Sequence, residues 1–387
     1  MLPIPFNKPH FSRSSLFQMI RVAMSGTIAG NGIYTKKCHR FFEERFGFRK
    51  VLMTTSCTDA LEMASLLCRI EPGDEVIVPS FTFMSTANAF LLRGAKILFA
   101  DTLNDIPTID PEEIERLITA RTKAVVVVHY AGIACDMDPI LAITRRHNLW
   151  VVEDAAHSID SYYKGKPLGS IGHLGTFSFH ETKNIISGEG GLLIVNEKNF
   201  VERSEIIWEK GTNRAAFYRG EVDKYGWVDV GSSFLPSDAV AGLLWTQLKQ
   251  FDIIQQRRKK IWWRYYEQLQ PLEEQGFLKR PHIPEFATVN GNLFYFTVSS
   301  HEIRDSLLNY LKHQGIQAVF HYLPLHSSAF FKDIYSGPSL PNTDRFSDCI
   351  VRLPFFYGLK SQQTRFVIRK ILQFFQERGP SARLPGS

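Results

Sequence analysis

A lysine set just past a short apolar run is the first residue in this chain whose type and place point to chemistry. The run Gly175-Thr176-Phe177-Ser178-Phe179 nearly alternates and reads as a strand. It breaks into His180-Glu181-Thr182-Lys183-Asn184, and Gly188-Glu189-Gly190-Gly191 closes the segment. Glycines there permit backbone conformations that other residues resist. Leu192-Leu193-Ile194-Val195 then reads as a second, buried strand. A lysine delivered from a strand end into a glycine-walled turn is well placed to hold a carbonyl compound as a Schiff base. The bland reading is an exposed loop lysine, as most lysines are.

A second stretch adds a carboxylate. Leu149-Trp150-Val151-Val152-Glu153-Asp154 is a strand ending in acid, followed by Ala155-Ala156-His157. Asp154 is either a cap at a strand end or a buried carboxylate facing a pyridine nitrogen. In the second case the ring belongs to pyridoxal phosphate. That cofactor withdraws electrons only while its ring nitrogen stays protonated, and an adjacent Asp favours the charged ring.

Elements that position such groups follow from the periodicity. Residues 51–54, 75–79, 96–101, 124–129 and 149–154 read as strands with helical patterns between them. That alternation argues a mostly parallel sheet covered by helices, with ligands gathered at the carboxyl ends of the strands. Ser56 to Thr58, Ser80 to Phe83, His129-Tyr130, Asp154 to His157 and Ser178 to Lys183 all fall at such ends. Ser56-Cys57-Thr58-Asp59 opens a helix, where free N–H groups and the dipole favour an anion; an ordinary N-cap fits equally well. Phe83 is a core aromatic or a ring that stacks on a ligand. Residues 16–24 and 34–46 are helical, and 239–269 read as one long helix whose basic stretch at 255–260 is a solvated face. After about residue 270 the composition shifts to Pro-bearing loops. Strands at 292–298 and 318–322 and helices at 303–313 and 362–376 follow. This division predicts a large domain over 1–249, a smaller C-terminal domain over 250–380 and a disordered tail at 381–387.

VVEDAA, FSFHETKN and GEGG together resemble the nucleotide-sugar aminotransferase family, and the resemblance runs from Ile4 to Leu359. TTSCTDALEMASLL, PSFTFMSTANAF, VHYAGIACDMD, KGTNR and VDVGSSFLPSDA are similar to that family in the same order. The resemblance implies an α/β, aspartate-aminotransferase-like fold, with a large parallel-sheet domain and a smaller C-terminal α+β domain. It implies pyridoxal 5'-phosphate held by Lys183, with Asp154 on the ring nitrogen. Cys57, Thr58 and Ser178 would hold the phosphate, Phe83 would stack on the ring, and His157 would orient the hydroxyl region. Lys183 would also move the proton as general acid–base. Ser233 stands where the family usually carries Asn, in a turn that reaches the cofactor phosphate of a second subunit, so a homodimer is implied. L-Glutamate as amino donor and a nucleotide-diphosphate keto-sugar as acceptor are implied in the same way. His321, Tyr322 and His326 resemble a pocket edge. Lys210 and Arg214 suit a diphosphate, or are surface cations. C3 amination, sugar dehydration and a non-catalytic regulatory role stay open. Lys183 weighs against dehydration of the kind that replaces this lysine by His.

The 387 residues can bury a sizeable core, and their composition is that of a soluble globular protein. A net charge of +6 suits an anionic ligand, and no aromatic-interleaved basic tract points to nucleic acid. Five scattered cysteines with no CxxC pair suggest neither a disulfide framework nor zinc. Residues 1–21 lack a signal-peptide pattern and no long apolar run is present, so the cytoplasm is expected.

Overall fold

The computed structural model describes residues 3–26 and 28–384. Seven short strands form the central sheet: β1 (Lys50–Thr54), β2 (Glu75–Pro79), β3 (Lys96–Ala100), β4 (Thr122–Val128), β5 (Trp150–Asp154), β6 (Leu174–Ser178) and β7 (Gly191–Val195). Their spatial order is β1-β7-β6-β5-β4-β2-β3. All run parallel except β7, which is antiparallel to β1 and β6 on either side. Neighbouring residues Val51 and Leu52 fall in separate core clusters, as do Val151 and Val152. The strands are therefore buried on both faces, which explains their near-continuous Val, Ile and Leu. Helix Cys57–Leu67 covers one face, and helices Ile33–Phe46 and Asp238–Leu248 cover part of the other.

Parallel strands bring their carboxyl ends to one edge. Because β7 runs backwards, its first residue, Gly191, lies at that same edge, paired with Thr54 and Ser178. A Cβ on Gly191 would sit 2.3 Å from the Ser56 carbonyl oxygen, so only glycine lets the turn after β1 pass so close.

A C-terminal cluster is built from helices Phe251–Gln268, His301–His313 and Ser361–Arg378 around a two-stranded antiparallel pair, β8 (Tyr295–Thr297) and β9 (Ile350–Arg352). Ile4 from the start of the chain joins this cluster and bridges to Ile316. Helix Phe251–Gln268 serves two cores: Phe251 and Ile254 pack with the sheet cluster, and residues from Ile261 onward pack with the C-terminal one.

Four local expectations are corrected. The helix expected over 239–269 is two, ending at Leu248 and restarting at Phe251, with Gln250 at φ −111°, ψ 15° between them. No Gly or Pro marks the break; Leu244 and Leu248 before it and Phe251 and Ile254 after it pack in the same core, and the change of core comes later, within the second helix. The basic stretch at 255–260 is not a solvated face throughout. Gln255 and Arg258 are buried, and Arg258 donates to the Gly291 and Asn292 carbonyls at 2.9 and 2.7 Å. Residues 318–322 form no strand; Val319 alone bridges to Arg352 before the chain turns to bring His321 and Tyr322 inward. Of the tail expected to be disordered from 381, Ala382 is buried at the end of a 3₁₀ turn, Gly379–Ala382, and the Leu384 N–H donates to the Gly276 carbonyl at 2.7 Å. Residues 385–387 lie outside the described residues.

Candidate active site

A cavity of about 460 Å³ opens at the carboxyl edge of the sheet. Asp154, the last residue of β5, lies on its wall and is only 6% exposed. Its Oδ2 accepts from the Thr86 hydroxyl at 2.7 Å, and its Oδ1 from the Ala156 N–H at 3.2 Å. Thr86 and Thr82 hydroxyls lie 2.8 Å apart, and since Thr86 gives its proton to Asp154, Thr82 is the donor of that pair. The carboxylate is thus oriented from behind by two threonines and keeps acceptor capacity toward the cavity.

The turn after β1 supplies the second element. Ser56 caps helix Cys57–Leu67 by accepting from the Asp59 N–H at 3.0 Å. Cys57 and Thr58, the first helical residues, line the cavity; N–H groups there have no partner within a helix. The Thr58 and Ser85 hydroxyls are 2.8 Å apart beside them, and Ser178 adds another hydroxyl from the end of β6. Several donors and a helix N-terminus therefore meet at one end of the cavity, as an anion requires. Burial pushes the Cys57 thiol up to about 12, so it stays a neutral thiol.

Lys183 reaches the cavity from a loop held at both ends. Its N–H donates to the His180 carbonyl at 2.9 Å. Its neighbour Asn184 is buried, donates to Gln255 Oε1 and to the Asn290 carbonyl, and accepts from Asn292 at 2.7 Å. Burial draws the Lys183 ammonium down to about 8, with Arg352 adding to the effect and Asp154 opposing it. A lysine so placed has a substantial neutral fraction near neutral pH, and neutral amine is what attacks a carbonyl.

His157 also lines the cavity, and its Nδ1 accepts from the Ala131 N–H at 3.2 Å. Burial, with the charges of Lys183 and Arg352, drives its pKa well below the usual histidine range. The ring is therefore neutral with its proton on Nε2, which makes it a donor at that atom. Phe83 is 50% exposed and lies at the cavity with its ring 6.3 Å from that of Tyr322, so it is not a core aromatic in this chain. His321 and Tyr322 complete that wall, and His321 Nδ1 lies 3.2 Å from the Tyr130 hydroxyl.

Nine of the residues singled out in the sequence therefore meet in one cavity: Cys57, Thr58, Phe83, Asp154, His157, Ser178, Lys183, His321 and Tyr322. Four do not. His326 is buried instead against Ser80, with its Nδ1 2.8 Å from that hydroxyl and its N–H donating back to it. Lys210 and Ser233, on loops, and Arg214, at the start of the short helix Arg214–Tyr218, are exposed and do not line the cavity of their own chain. Sequence reasoning missed Thr86, Asn292 and Arg352. Arg352 stands near the end of the stretch from Ile4 to Leu359 that resembles the family, and a cation leading the run Leu353 to Leu359 was the available signal.

The match to known proteins agrees with this geometry. Residues 12–372 match the model of the DegT/DnrJ/EryC1/StrS aminotransferase family. The chain belongs to this family. It is 31% identical over 97% of its length to an uncharacterised protein of Methanocaldococcus jannaschii, of which it covers 98%. Among solved structures, the aminotransferase TlmJ from Streptoalloteichus hindustanus superposes with a TM-score of 0.88 at 27% identity, covering 97% of this chain and 99% of that one. The aminotransferase from Psychrobacter cryohalolentis superposes at 0.90 with 26% identity, covering 96% and 99%. The PLP form of the Streptococcus pneumoniae protein Spr1654, titled a sugar aminotransferase, superposes at 0.88 with 25% identity, covering 97% and 99%. The protein is a sugar aminotransferase of this family, and its cofactor is pyridoxal phosphate. The residues present fit that group: a donor-rich helix N-terminus for the phosphate, an oriented carboxylate for the ring nitrogen, and an amine of lowered basicity between them. Among the described residues no helix is long and apolar enough to cross a membrane, and no cluster suited to a metal ion is present.

Proposed function

We propose that the protein transfers the amino group of L-glutamate to the 4-keto carbon of a dTDP-linked 4-keto-6-deoxyglucose. The product is dTDP-4-amino-4,6-dideoxygalactose, made in the cytoplasm for cell-surface polysaccharide. The observation that carries the transamination is Lys183 and Asp154 on the walls of one cavity, with the 57–58 helix start at its end. The choice of sugar rests on the segments TTSCTDALEMASLL, VHYAGIACDMD and VDVGSSFLPSDA, which resemble dTDP-4-amino-4,6-dideoxygalactose transaminase.

Each residue then has a task. When bound, pyridoxal phosphate supplies an electron sink for the carbon that gains or loses a proton. Lys183 holds the cofactor between turnovers and, once displaced, carries the proton to and from the substrate carbon; its lowered basicity suits both directions. Asp154, fixed by Thr86, holds positive charge on the ring nitrogen. Cys57, Thr58 and Ser178 bind the phosphate. His157 donates from Nε2 toward the ring hydroxyl. Phe83 covers the ring face, and His321 and Tyr322 meet the sugar.

Ser233 is proposed to act on a second copy of the chain. It is exposed, bridges to Glu209, and follows a loop on which Trp227 is 84% exposed. That exposed surface supports a homodimer in which the loop completes the partner's phosphate site. Lys210, on the same loop system, and Arg214 are proposed for the sugar diphosphate there, and His326 is proposed to act only by holding Ser80 beneath the pocket edge.

The test incubates holoenzyme and L-glutamate with a panel of dTDP-, UDP- and GDP-linked keto-sugars and identifies products by mass and NMR. A C4 amine on the dTDP sugar is expected. Amination at C3, or of another nucleotide sugar alone, rejects the assignment.

A further inference from the structure

Four buried amide side chains join the loop of Lys183 to the C-terminal cluster: Asn184, Gln255, Asn290 and Asn292. Asn184 follows Lys183, Gln255 lies in helix Phe251–Gln268, and Asn290 and Asn292 lead into β8. The backbone fixes which way each amide points. Asn290 Nδ2 donates to the His157 and Ile159 carbonyls at 2.7 and 2.8 Å, so its Oδ1 faces the other way and accepts from the Asn292 N–H at 2.9 Å. Asn184 Nδ2 donates to the Asn290 carbonyl and to Gln255 Oε1, both at 3.0 Å. That leaves Asn184 Oδ1 to accept from Asn292 Nδ2, at 2.7 Å. Gln255 Nε2 then donates to Asp160 Oδ2 at 3.2 Å, where the Lys259 ammonium also donates, at 2.7 Å. No amide of the four can turn over without setting oxygen against oxygen. The set is braced further: the Asn292 carbonyl accepts from the buried Arg258 at 2.7 Å, and a Cβ on Gly132 would meet Asn290 Oδ1 at 2.4 Å.

We infer that Asn292 is a positioning residue for Lys183 that acts through Asn184, a reading that rests on the proposed role of Lys183 as cofactor holder and proton carrier. Asn292 alone of the four amides lines the cavity. The Lys183 N–H bonds within its own loop, to the His180 carbonyl at 2.9 Å. The bonds that reach the C-terminal cluster leave from Asn184, the next residue. A lysine brings its amine to a reacting carbon on a long flexible chain, so the backbone that carries it has to be held. A misplacement of about 1 Å can cost about 100-fold in rate. The same amides hold the His157 carbonyl, so one frame sets both the amine and the imidazole. Without the Asn292 donor, Asn184 Oδ1 is left buried and unpaired, which is costly. Relief comes from a shift of Asn184 toward the cavity and its water, and that shift carries Lys183 with it.

The experiment uses holoenzyme and the single-turnover loss of its visible band on mixing with L-glutamate. Asn292→Leu keeps the volume, removes the donor and keeps water out of the gap. Its rate constant at saturating donor should fall about 30-fold, while the donor concentration that gives half that rate changes by less than about 3-fold. L-Glutamate deuterated at its α-carbon should show a larger isotope effect in the variant, because the proton step has become the slow one. Asn184→Ala should lose about as much, and the double variant no more than either single one, as expected of two residues on one path. Visible circular dichroism of the holoenzyme, which needs no substrate, should weaken in all three with the far-UV spectrum intact. Asn292→Ala covers a folding failure of the first variant: water enters in place of the amide without being fixed, and about 10-fold should still be lost. If wild type takes another α-amino acid, the donor named above is wrong, and the same measurements with the accepted donor still decide Asn292. If no amino acid reacts, the proposed transamination fails, and the visible dichroism decides Asn292. A variant with lower denaturant midpoint and unchanged rate, isotope effect and dichroism overturns the assignment and leaves Asn292 with the fold alone. Losses that multiply in the double variant overturn it too, since Asn292 then acts without Asn184. A loss confined to the half-saturating donor concentration makes Asn292 a donor contact and likewise overturns it.

Discussion

The Thr86 hydroxyl donates to Asp154 Oδ2 at 2.7 Å from a helix that is not part of the sheet. The bond fixes which oxygen of the carboxylate remains for the cavity. Thr86→Val keeps the shape and removes the donor. It should weaken cofactor affinity about 10-fold, the net worth of one hydrogen bond to a charged group. Thr86→Ser should restore most of it. Equilibrium dialysis of the cofactor measures both; equal affinity in all three proteins would leave Thr86 with packing alone.

Asp154→Asn replaces the charge that holds a proton on the ring nitrogen. The amide is nearly isosteric; its one oxygen can still accept from the Ala156 N–H, and the Thr86 hydroxyl can rotate to accept from the new NH2. Folding should therefore persist while turnover falls by about 10³-fold or more, since the pyridinium is no longer favoured. A shifted visible spectrum should accompany the loss. A variant with full activity and an unchanged spectrum makes Asp154 a strand-end cap.

Lys183 has a pH signature. Its folded value of about 8 is below the ordinary 10.5, because burial penalises the ammonium. The neutral amine therefore grows as pH rises through about 8, and the rate at which cofactor-free protein takes up pyridoxal phosphate should rise with it and then level off. Stability follows the same sign. Between about pH 8 and 10.5 the unfolded chain binds the proton and the folded chain does not, so this group makes the cofactor-free protein more stable as pH rises across that window. Lys183→Met should remove that slope, as read by denaturant midpoints. Lys183→Ala should abolish turnover and the visible band with the far-UV spectrum intact.

Much of this site was legible in the sequence because its parts are local. A buried strand followed by Asp154, or by Ser178 and then Lys183, carries its own signature of an apolar run cut off by polar residues. The parallel order of β4, β5 and β6 then brings those ends together without further information. What was not legible depends on register and packing. Arg352 faces the cavity only because β9 pairs with β8 and with Val319, partners 57 and 33 residues upstream. Thr86 reads as an ordinary helix threonine until helix Ser85–Leu91 is laid beside the end of β5. The break at residues 249–250 has no Gly or Pro to announce it, and the residues on its two sides pack in one core. His326 looked like a pocket residue by its neighbours in sequence, and its hydrogen bonds to Ser80 turn it away.

The shared-site reading of Ser233 is tested by mixing two inactive chains. Lys183→Ala lacks the amine in its own cavity and has a normal loop. Ser233→Glu has a normal cavity, and its loop places an acid against a phosphate in the partner. Each homodimer should be inactive for its own reason. In an isologous dimer the two surfaces exchange, so a heterodimer contains one site that combines both defects and one that has neither. Subunit exchange should therefore restore activity to about a quarter of wild type at most: random pairing makes about half the dimers mixed, and each of these has one working site in two. Native mass spectrometry counts the heterodimers. If they form and no activity returns, the loop of residues 231–233 does not complete a neighbour's site. A monodisperse monomer with full activity would reject the same reading.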